Sequence, residues 1–297
     1  MIELKTEQLS VQFQTFGGAL SSIKDKDGIE YLWQGDPTYW SGQAPVLFPI
    51  CGSVRNDTVL YDQEDGSQVK GKIPRHGLVR KKEFELVEQT ENSVTFAIED
   101  DQDMYESYPY HFRLEITYTV TGKTIRTQYQ VTNKETDKKM PYFIGGHPGF
   151  NCPLFDDEAY EDYYLEFEMP ETCTVPKPFP ETGMLDFQDR SSWLKEQKEL
   201  DLNYDFFSYD AVTLDELASR SVSLRSRKHD KGLKLDFEEF PNLIVWSTLN
   251  KGPFLALEPW SGLSTSLEEG DHLEDKKNVR ILNPAQSDQI GFDIEIF

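Results

Sequence analysis

Cysteine is scarce in this chain, with Cys51, Cys152 and Cys173 alone among 297 residues and no Cys-x-x-Cys spacing between them. An odd number so spaced offers neither a disulfide framework nor a zinc-ligand pattern, and a reducing compartment fits. Positive charge is also short, at 30 Lys and Arg against 53 Asp and Glu, which leaves a formal charge of −23. Such a field repels polyanions, so neither nucleic acid nor an anionic membrane is expected as a partner. It mildly disfavours a phosphorylated ligand too, although a local arginine can overrule a global charge. No apolar run is long enough to span a bilayer, and the opening Met1 to Glu7 carries Glu3, Lys5 and Glu7 where a signal peptide would be apolar. The expected location is the cytoplasm. Pro/Ser-rich linkers, low-complexity tracts and internal repeats are absent as well, so residues 1–297 read as a single domain.

Helical periodicity is equally rare. A short helix is expected from about Ser191 to Leu200, and Thr213 with Glu216 has the spacing of a capping box. The Pro and acidic residues between about Pro170 and Gln188 read as one long surface connection. Elsewhere apolar residues recur with period two, the mark of half-buried strands. Phe112, Leu114, Ile116, Tyr118 and Val120 fall on one face, with Arg113, Glu115, Thr117 and Thr119 on the other. Thr121, Gly122 and Lys123 then make a turn, and Ile125, Thr127, Tyr129 and Val131 resume the alternation, which predicts a hairpin. Val94, Phe96 and Ile98 alternate in the same way, as do Leu233, Leu235 and Phe237. Roughly 15 or more strands are too many for one sheet, so the chain is expected to be all-β, a large antiparallel β-sandwich with a few short helices.

Side chains suited to chemistry gather in a few segments. His76 lies in Pro74-Arg75-His76-Gly77 and His147 in Gly145-Gly146-His147-Pro148-Gly149-Phe150-Asn151, both dense in turn-formers. Glu258 ends the apolar run Phe254-Leu255-Ala256-Leu257 and precedes Pro259-Trp260-Ser261-Gly262. A carboxylate there is expected to be at least partly buried, and must be paired, hydrogen-bonded or protonated. Arg55, after Cys51-Gly52-Ser53-Val54, has a guanidinium fork that suits vicinal hydroxyls or a phosphate, and equally suits one of the many acids. Taken singly, each histidine is better explained by structure than by catalysis, and Glu258 is as well explained by capping a turn as by catalysis.

In chain order these segments resemble the aldose 1-epimerase (galactose mutarotase) family, and most closely its bacterial branch associated with lactose and galactose operons. Gly52-Ser53-Val54-Arg55-Asn56 looks like the substrate-binding arginine segment, Arg75-His76-Gly77 like the first histidine motif, and Gly146-His147-Pro148-Gly149-Phe150-Asn151 like the second. Leu257-Glu258-Pro259-Trp260 looks like the segment bearing the catalytic glutamate, and Ser208-Tyr209-Asp210-Ala211 is the best match to a substrate-binding aspartate. Phe16-Gly17-Gly18-Ala19-Leu20 and Tyr108-Pro109-Tyr110-His111-Phe112 also fit, so the similarity spans nearly the whole chain. The resemblance implies a large antiparallel β-sandwich, a sugar as small-molecule partner, a monomer or homodimer, and neither metal nor other cofactor.

Interconverting the anomers of an aldose requires removing the C1-hydroxyl proton and protonating the ring oxygen, after which the ring opens, C1–C2 rotates and the ring recloses. One base and one acid suffice. The implied roles are Glu258 as base, His147 as acid at the ring oxygen and His76 as a supporting hydrogen bond. Arg55, Asp210 and Trp260 would bind substrate, with Trp33, Trp40 and Trp246 as further candidates for an apolar platform. Rivals are an epimerase of hexose 6-phosphates, with Arg55, Arg75 and Arg80 around the phosphate, and a non-catalytic sugar-binding protein on the same fold. A glycosidase would need a second carboxylate, such as Asp210, flanking the scissile bond with Glu258.

Overall fold

The alternation of apolar residues becomes sheet almost everywhere. A computed structural model describes residues 2–62 and 66–297. Strand Phe112–Thr121 buries every second residue and pairs with Thr124–Asn133 in the register Thr121↔Thr124 to Asn133↔Phe112. Gly122, at φ 58°, makes the tight turn between them. This hairpin sits inside a nine-stranded antiparallel sheet, flanked by Ser93–Glu99 on one side and the C-terminal strand Ser287–Ile296 on the other. Gly232–Asp236 and Ser221–Ser226 extend the sheet beyond the C-terminal strand.

A second, six-stranded sheet faces the first. Its centre is Phe254–Trp260, in which every residue is buried, so period two vanishes where both faces are covered. Gly146 in this sheet leaves room for the Phe292 ring of the other, since a Cβ on Gly146 would lie 2.9 Å from that ring. Phe48, which follows the strand Val46–Leu47, meets Phe112 at a centroid distance of 4.8 Å. The buried apolar side chains of both sheets form one continuous cluster. The fold is therefore an all-β antiparallel sandwich.

Three expectations are corrected. Ser191 to Leu200 is not helical but lies within strand Met184–Asp201, and the supposed connection from Pro170 to Gln188 is largely strand, split between Tyr163–Phe179 and Met184–Asp201. These long strands pair as a hairpin whose register shifts between Glu166 and Glu171 and again between Pro176 and Lys177. The prolines fit because Tyr163–Phe179 pairs with Ser221–Ser226 only as far as Phe167, so beyond it one edge of the strand has no ladder to complete. Helix-forming residues such as Lys195, Glu196 and Gln197 are overridden by this pairing, with Leu194 buried and Trp193 against Phe206. Thr213 lies in strand Val212–Leu214 rather than capping a helix, and Glu216 accepts a hydrogen bond from the Thr174 hydroxyl. The one α-helix among the described residues is Gln102–Ser107, started by Asp101, whose side chain accepts from Met104 N.

Because Phe292 joins the sheets, Phe292→Ala is expected to cost about 3–5 kcal/mol. Urea unfolding would read this as a lowered midpoint, and an unchanged midpoint would show that Phe292 does not tie the sheets together.

Candidate active site

The site follows from strand register. Gly145 lies opposite Trp260, and Gly149 opposite Ala256. The short strands Gly145–Gly146 and Gly149–Asn151 thus share one partner, with His147 and Pro148 between them. Carrying the register across that gap sets His147 opposite Glu258, and the bond from Leu257 N to Pro148 O (3.2 Å) holds the gap closed. On the other side of Phe254–Trp260, Ile244 pairs with Glu258. Gly145–Gly146 also pairs with Val46–Leu47, and His147 N donates to Pro45 O at 3.1 Å. Pro45, His147, Glu258 and Ile244 therefore form one row across the sheet. Residues two apart share a face, so Trp246 and Trp260 join them. All six line a single half-open cavity of about 210 Å³, together with Trp40, Arg75, His76, Arg80, Asp210 and Ala211.

His76 arrives from a turn. Gly77, at φ 84°, has no space for a side chain, since a Cβ there would meet Phe48 O at 2.0 Å. The turn places the His76 ring edge-on to His147 at 5.4 Å and to Trp260 at 5.5 Å. Gly52 N donates to His76 Nδ1 at 3.3 Å, which fixes that nitrogen as the acceptor and leaves Nε2 as the protonated one in the neutral ring. Burial, with His147, Arg75 and Arg80 nearby, holds His76 well below the usual imidazole range, so the ring is a neutral donor.

His147 Nε2 and Glu258 Oε2 stand 3.2 Å apart, both side chains almost wholly buried. The approach is off the ring N–H axis, and Glu258 Oε2 has no aligned hydrogen bond. Burial pushes the Glu258 carboxyl well above the usual carboxylate range, and the positive Arg75 draws it only partly back. Burial drives His147 the other way, down to about 3, with Arg75 and Arg80 pushing in the same direction. Both shifts favour the uncharged forms, a protonated carboxyl beside a neutral imidazole. Such a pair can give a proton at one atom and take one at another a few ångströms away.

Around this pair the other expected residues divide. Asp210 Oδ2 accepts from Arg75 Nη2 at 3.3 Å, and Oδ1 from Ala211 N at 2.9 Å. Trp40 lies 4.9 Å from the His147 ring and Trp246 lies 5.5 Å from it, so both belong to the wall. Trp33 sits behind the wall, donating from Nε1 to Trp40 O and stacked on Phe254. Arg55, expected to bind substrate, is not in the lining. Its guanidinium is committed to Asp271 at 2.7 Å and to the carbonyls of Ser266 and Glu269, an acid-rich turn that answers its charge. Arg75 and Arg80 supply the cationic side of the cavity instead. Of the three arginines named from the sequence as a possible phosphate site, Arg75 and Arg80 reach the cavity and Arg55 does not. Among the described residues no group of three or more His, Cys, Asp or Glu is placed to hold a metal ion, and no helix is long and apolar enough to cross a membrane.

The chain is similar to known proteins over nearly its whole length. Protein LacX, chromosomal, of Lactococcus lactis subsp. lactis is 62% identical over 295 residues, which is 99% of each chain. Among solved structures, a galactose mutarotase related enzyme from Lactobacillus acidophilus superposes with a TM-score of 0.91 at 27% identity, covering 100% of this chain and 97% of that one. A galactose mutarotase-like protein from Lactobacillus casei ATCC 334 gives a TM-score of 0.89 at 27% identity, covering 100% of both. The family profile for aldose 1-epimerase matches residues 1–280, and with these relatives it shows that the chain is an isomerase of the aldose 1-epimerase family.

Proposed function

We propose that the protein is a mutarotase that equilibrates the α and β anomers of a hexose by reversible ring opening, with Glu258 and His147 moving the protons. The observation that carries this reading is the cross-strand contact of His147 Nε2 with Glu258 Oε2 at 3.2 Å inside a cleft. Glu258 takes the proton of the C1 hydroxyl, and burial makes its carboxylate a stronger base than a solvated one. His147 delivers a proton to the ring oxygen, and the same burial makes its imidazolium a stronger acid. Hydrogen bonds from sugar hydroxyls to Glu258 lower its proton affinity, which shifts the shared proton towards His147. His76 Nε2–H steadies the ring oxygen or C1 hydroxyl, Asp210 with Arg75 grips ring hydroxyls, and Trp40, Trp246 and Trp260 face the apolar side of the sugar.

A second reading, a hexose 6-phosphate as substrate, is favoured by Arg80. This guanidinium is about half-buried in the cavity wall, and among the described residues no carboxylate pairs with it. In a chain of net charge −23, an unpaired arginine beside Arg75 suits an anionic group.

Polarimetry on freshly dissolved sugar tests both. Glu258→Gln and His147→Asn are each expected to lower kcat by about 10² or more with the fold intact, and near-normal turnover in either would remove the role assigned to it. Comparing galactose, glucose and glucose 6-phosphate separates the substrates. If phosphate is bound, Arg80→Ala raises KM for glucose 6-phosphate by about tenfold and leaves glucose unchanged; equal effects on the two would dismiss the phosphate.

The pH profile gives a further test. The active pair needs one proton, so activity persists on the acid side until His147 gains a second proton near its depressed value of about 3, and is lost on the alkaline side as Glu258 releases its own. Log kcat/KM is therefore expected to show no acid limb at the ordinary histidine pKa of about 6.5. A limb centred there would mean that His147 titrates as a solvated imidazole.

A further inference from the structure

Glu258 and Trp260 are two residues apart in strand Phe254–Trp260, so their side chains share the face that lines the cavity. Both are buried, and each keeps one atom uncommitted: Glu258 Oε2 and Trp260 Nε1 are enclosed without an aligned hydrogen-bond partner among the described residues. The first is an acceptor when the carboxyl is ionised, and the second is a donor only. A buried indole N–H usually finds a partner, and an orphan in a native interior calls for an explanation.

The neighbouring strands fix where the indole lies. Gly145 stands opposite Trp260, and a Cβ there would come within 2.8 Å of Trp260 Cδ1, the carbon bonded to Nε1. The nitrogen-bearing edge of the ring therefore packs over the bare backbone of Gly145, two residues from His147. On the other side Asn242 pairs with Trp260 and donates from Nδ2 to Trp260 O at 3.1 Å, which ties down the end of the strand. The His76 ring meets the indole edge-on at 5.5 Å. Held in this way, the Trp260 N–H lies beside the Glu258 carboxyl and favours its charged form. The other groups around Glu258 act differently. Arg75 and Arg80, from the turn that carries His76, bring positive charge, and Asp210, from the segment before Val212, brings negative charge. His147 approaches off its N–H axis, and Cys51 is a buried thiol whose proton burial retains. Ile244 and Trp246, from strand Asn242–Trp246, carry no charge. None of these gives Glu258 Oε2 an aligned hydrogen bond.

We infer that Trp260 is a positioning residue for proton transfer, its indole N–H closing onto Glu258 Oε2 when the carboxylate charge appears and holding that charge while His147 carries the proton. The inference rests on the mutarotase reading. A hydrogen bond to an ionised acceptor is roughly twice as strong as one to a neutral acceptor. The N–H therefore gains most in the charged state, carboxylate beside imidazolium, from which the ring opens. In the uncharged pair the protonated carboxyl is a weaker acceptor, and the N–H stays uncommitted. The two proton transfers are those already assigned, from the C1 hydroxyl to Glu258 and from His147 to the ring oxygen, and Trp260 keeps its own proton throughout.

Replacing Trp260 site-specifically by benzothienylalanine exchanges the N–H for sulfur and keeps the fused ring, and Trp260→Phe is the simpler counterpart. Removing a donor to the charged form raises the proton affinity of the carboxyl. Polarimetry is expected to show kcat lowered by about tenfold in both, KM within about threefold, and the alkaline limb of log kcat moved to higher pH by about half a unit or more. The infrared band of the protonated carboxyl, assigned to Glu258 by its loss in Glu258→Gln, is expected to persist to higher pH in both as well. A raised KM with an unmoved limb would show that the indole N–H serves the sugar, and would overturn the inference. A lowered kcat with an unmoved limb and an unmoved infrared titration would do the same, since lost packing alone gives that result. Either outcome leaves the mutarotase reading standing. Unaltered protein that equilibrates anomers no faster than buffer would remove that reading, and the role of Trp260 in proton transfer with it.

Discussion

A carboxyl group kept from water beside an imidazole is the constraint on which the rest of this molecule depends. Leaving such a group in the middle of a sheet is costly, because a buried charge needs an opposite charge and hydrogen bonds to offset its lost hydration. Glu258 has an off-axis imidazole at 3.2 Å, the field of Arg75 and the nearby Trp260 indole to offset its burial. The sheet tolerates this because Glu258 is one outward position in Phe254–Trp260, whose other side packs Leu255 and Leu257 into the core. The strand would stand without a carboxyl at that point. An acid in an environment that penalises it departs from local consistency, the kind of departure that marks a candidate functional position.

Much of this was legible in the sequence, for reasons that can be named. Period two along Phe112–Thr121 and Thr124–Asn133 reports strands wetted on one face, and the structure keeps that register residue by residue. The same rule is silent in Phe254–Trp260, where both faces are covered, and there the sign of a site was the misfit itself, one acid at the end of an apolar run. The long hairpin was misread because its residues obey another constraint. Lys195, Glu196 and Gln197 favour a helix, and Pro170, Pro176 and Pro178 oppose a strand, yet pairing beyond the main sheet accepts both by bulging. Local propensity carries no information about a partner strand that is nearly as irregular.

Arg55 and Arg80 show the same limit for side chains. Each is a lone guanidinium in sequence, and no spacing tells which will meet a carboxylate. Asp271, more than 200 residues later, claims Arg55 at 2.7 Å, while Arg80 is left facing the cavity. Long-range pairing decides which cation is spent on structure and which is free to meet a ligand. The overall charge of −23 describes the far field, whereas the two guanidinium groups of Arg75 and Arg80 set the sign near Glu258. Burial is the main reason both imidazoles stay neutral, and the field of Arg75 and Arg80 pushes in the same direction.

The competing chemistries can be weighed on the same contacts. Glycosidic cleavage needs a second carboxyl free to act opposite the first. Asp210 shares the cavity with Glu258, but one of its oxygens accepts from Arg75 and the other from Ala211 N, so it is occupied as a hydrogen-bond acceptor. A pure binding site would require no proton shared between opposed groups, and would be more stable with Glu258 satisfied by an aligned donor. What remains is a carboxyl and an imidazole 3.2 Å apart, flanked by a second imidazole whose Nδ1 accepts from the Gly52 amide. Reversible opening of a cyclic hemiacetal asks for that set of groups, because each direction needs one proton given and one taken, and the pair returns to its starting state when the ring closes.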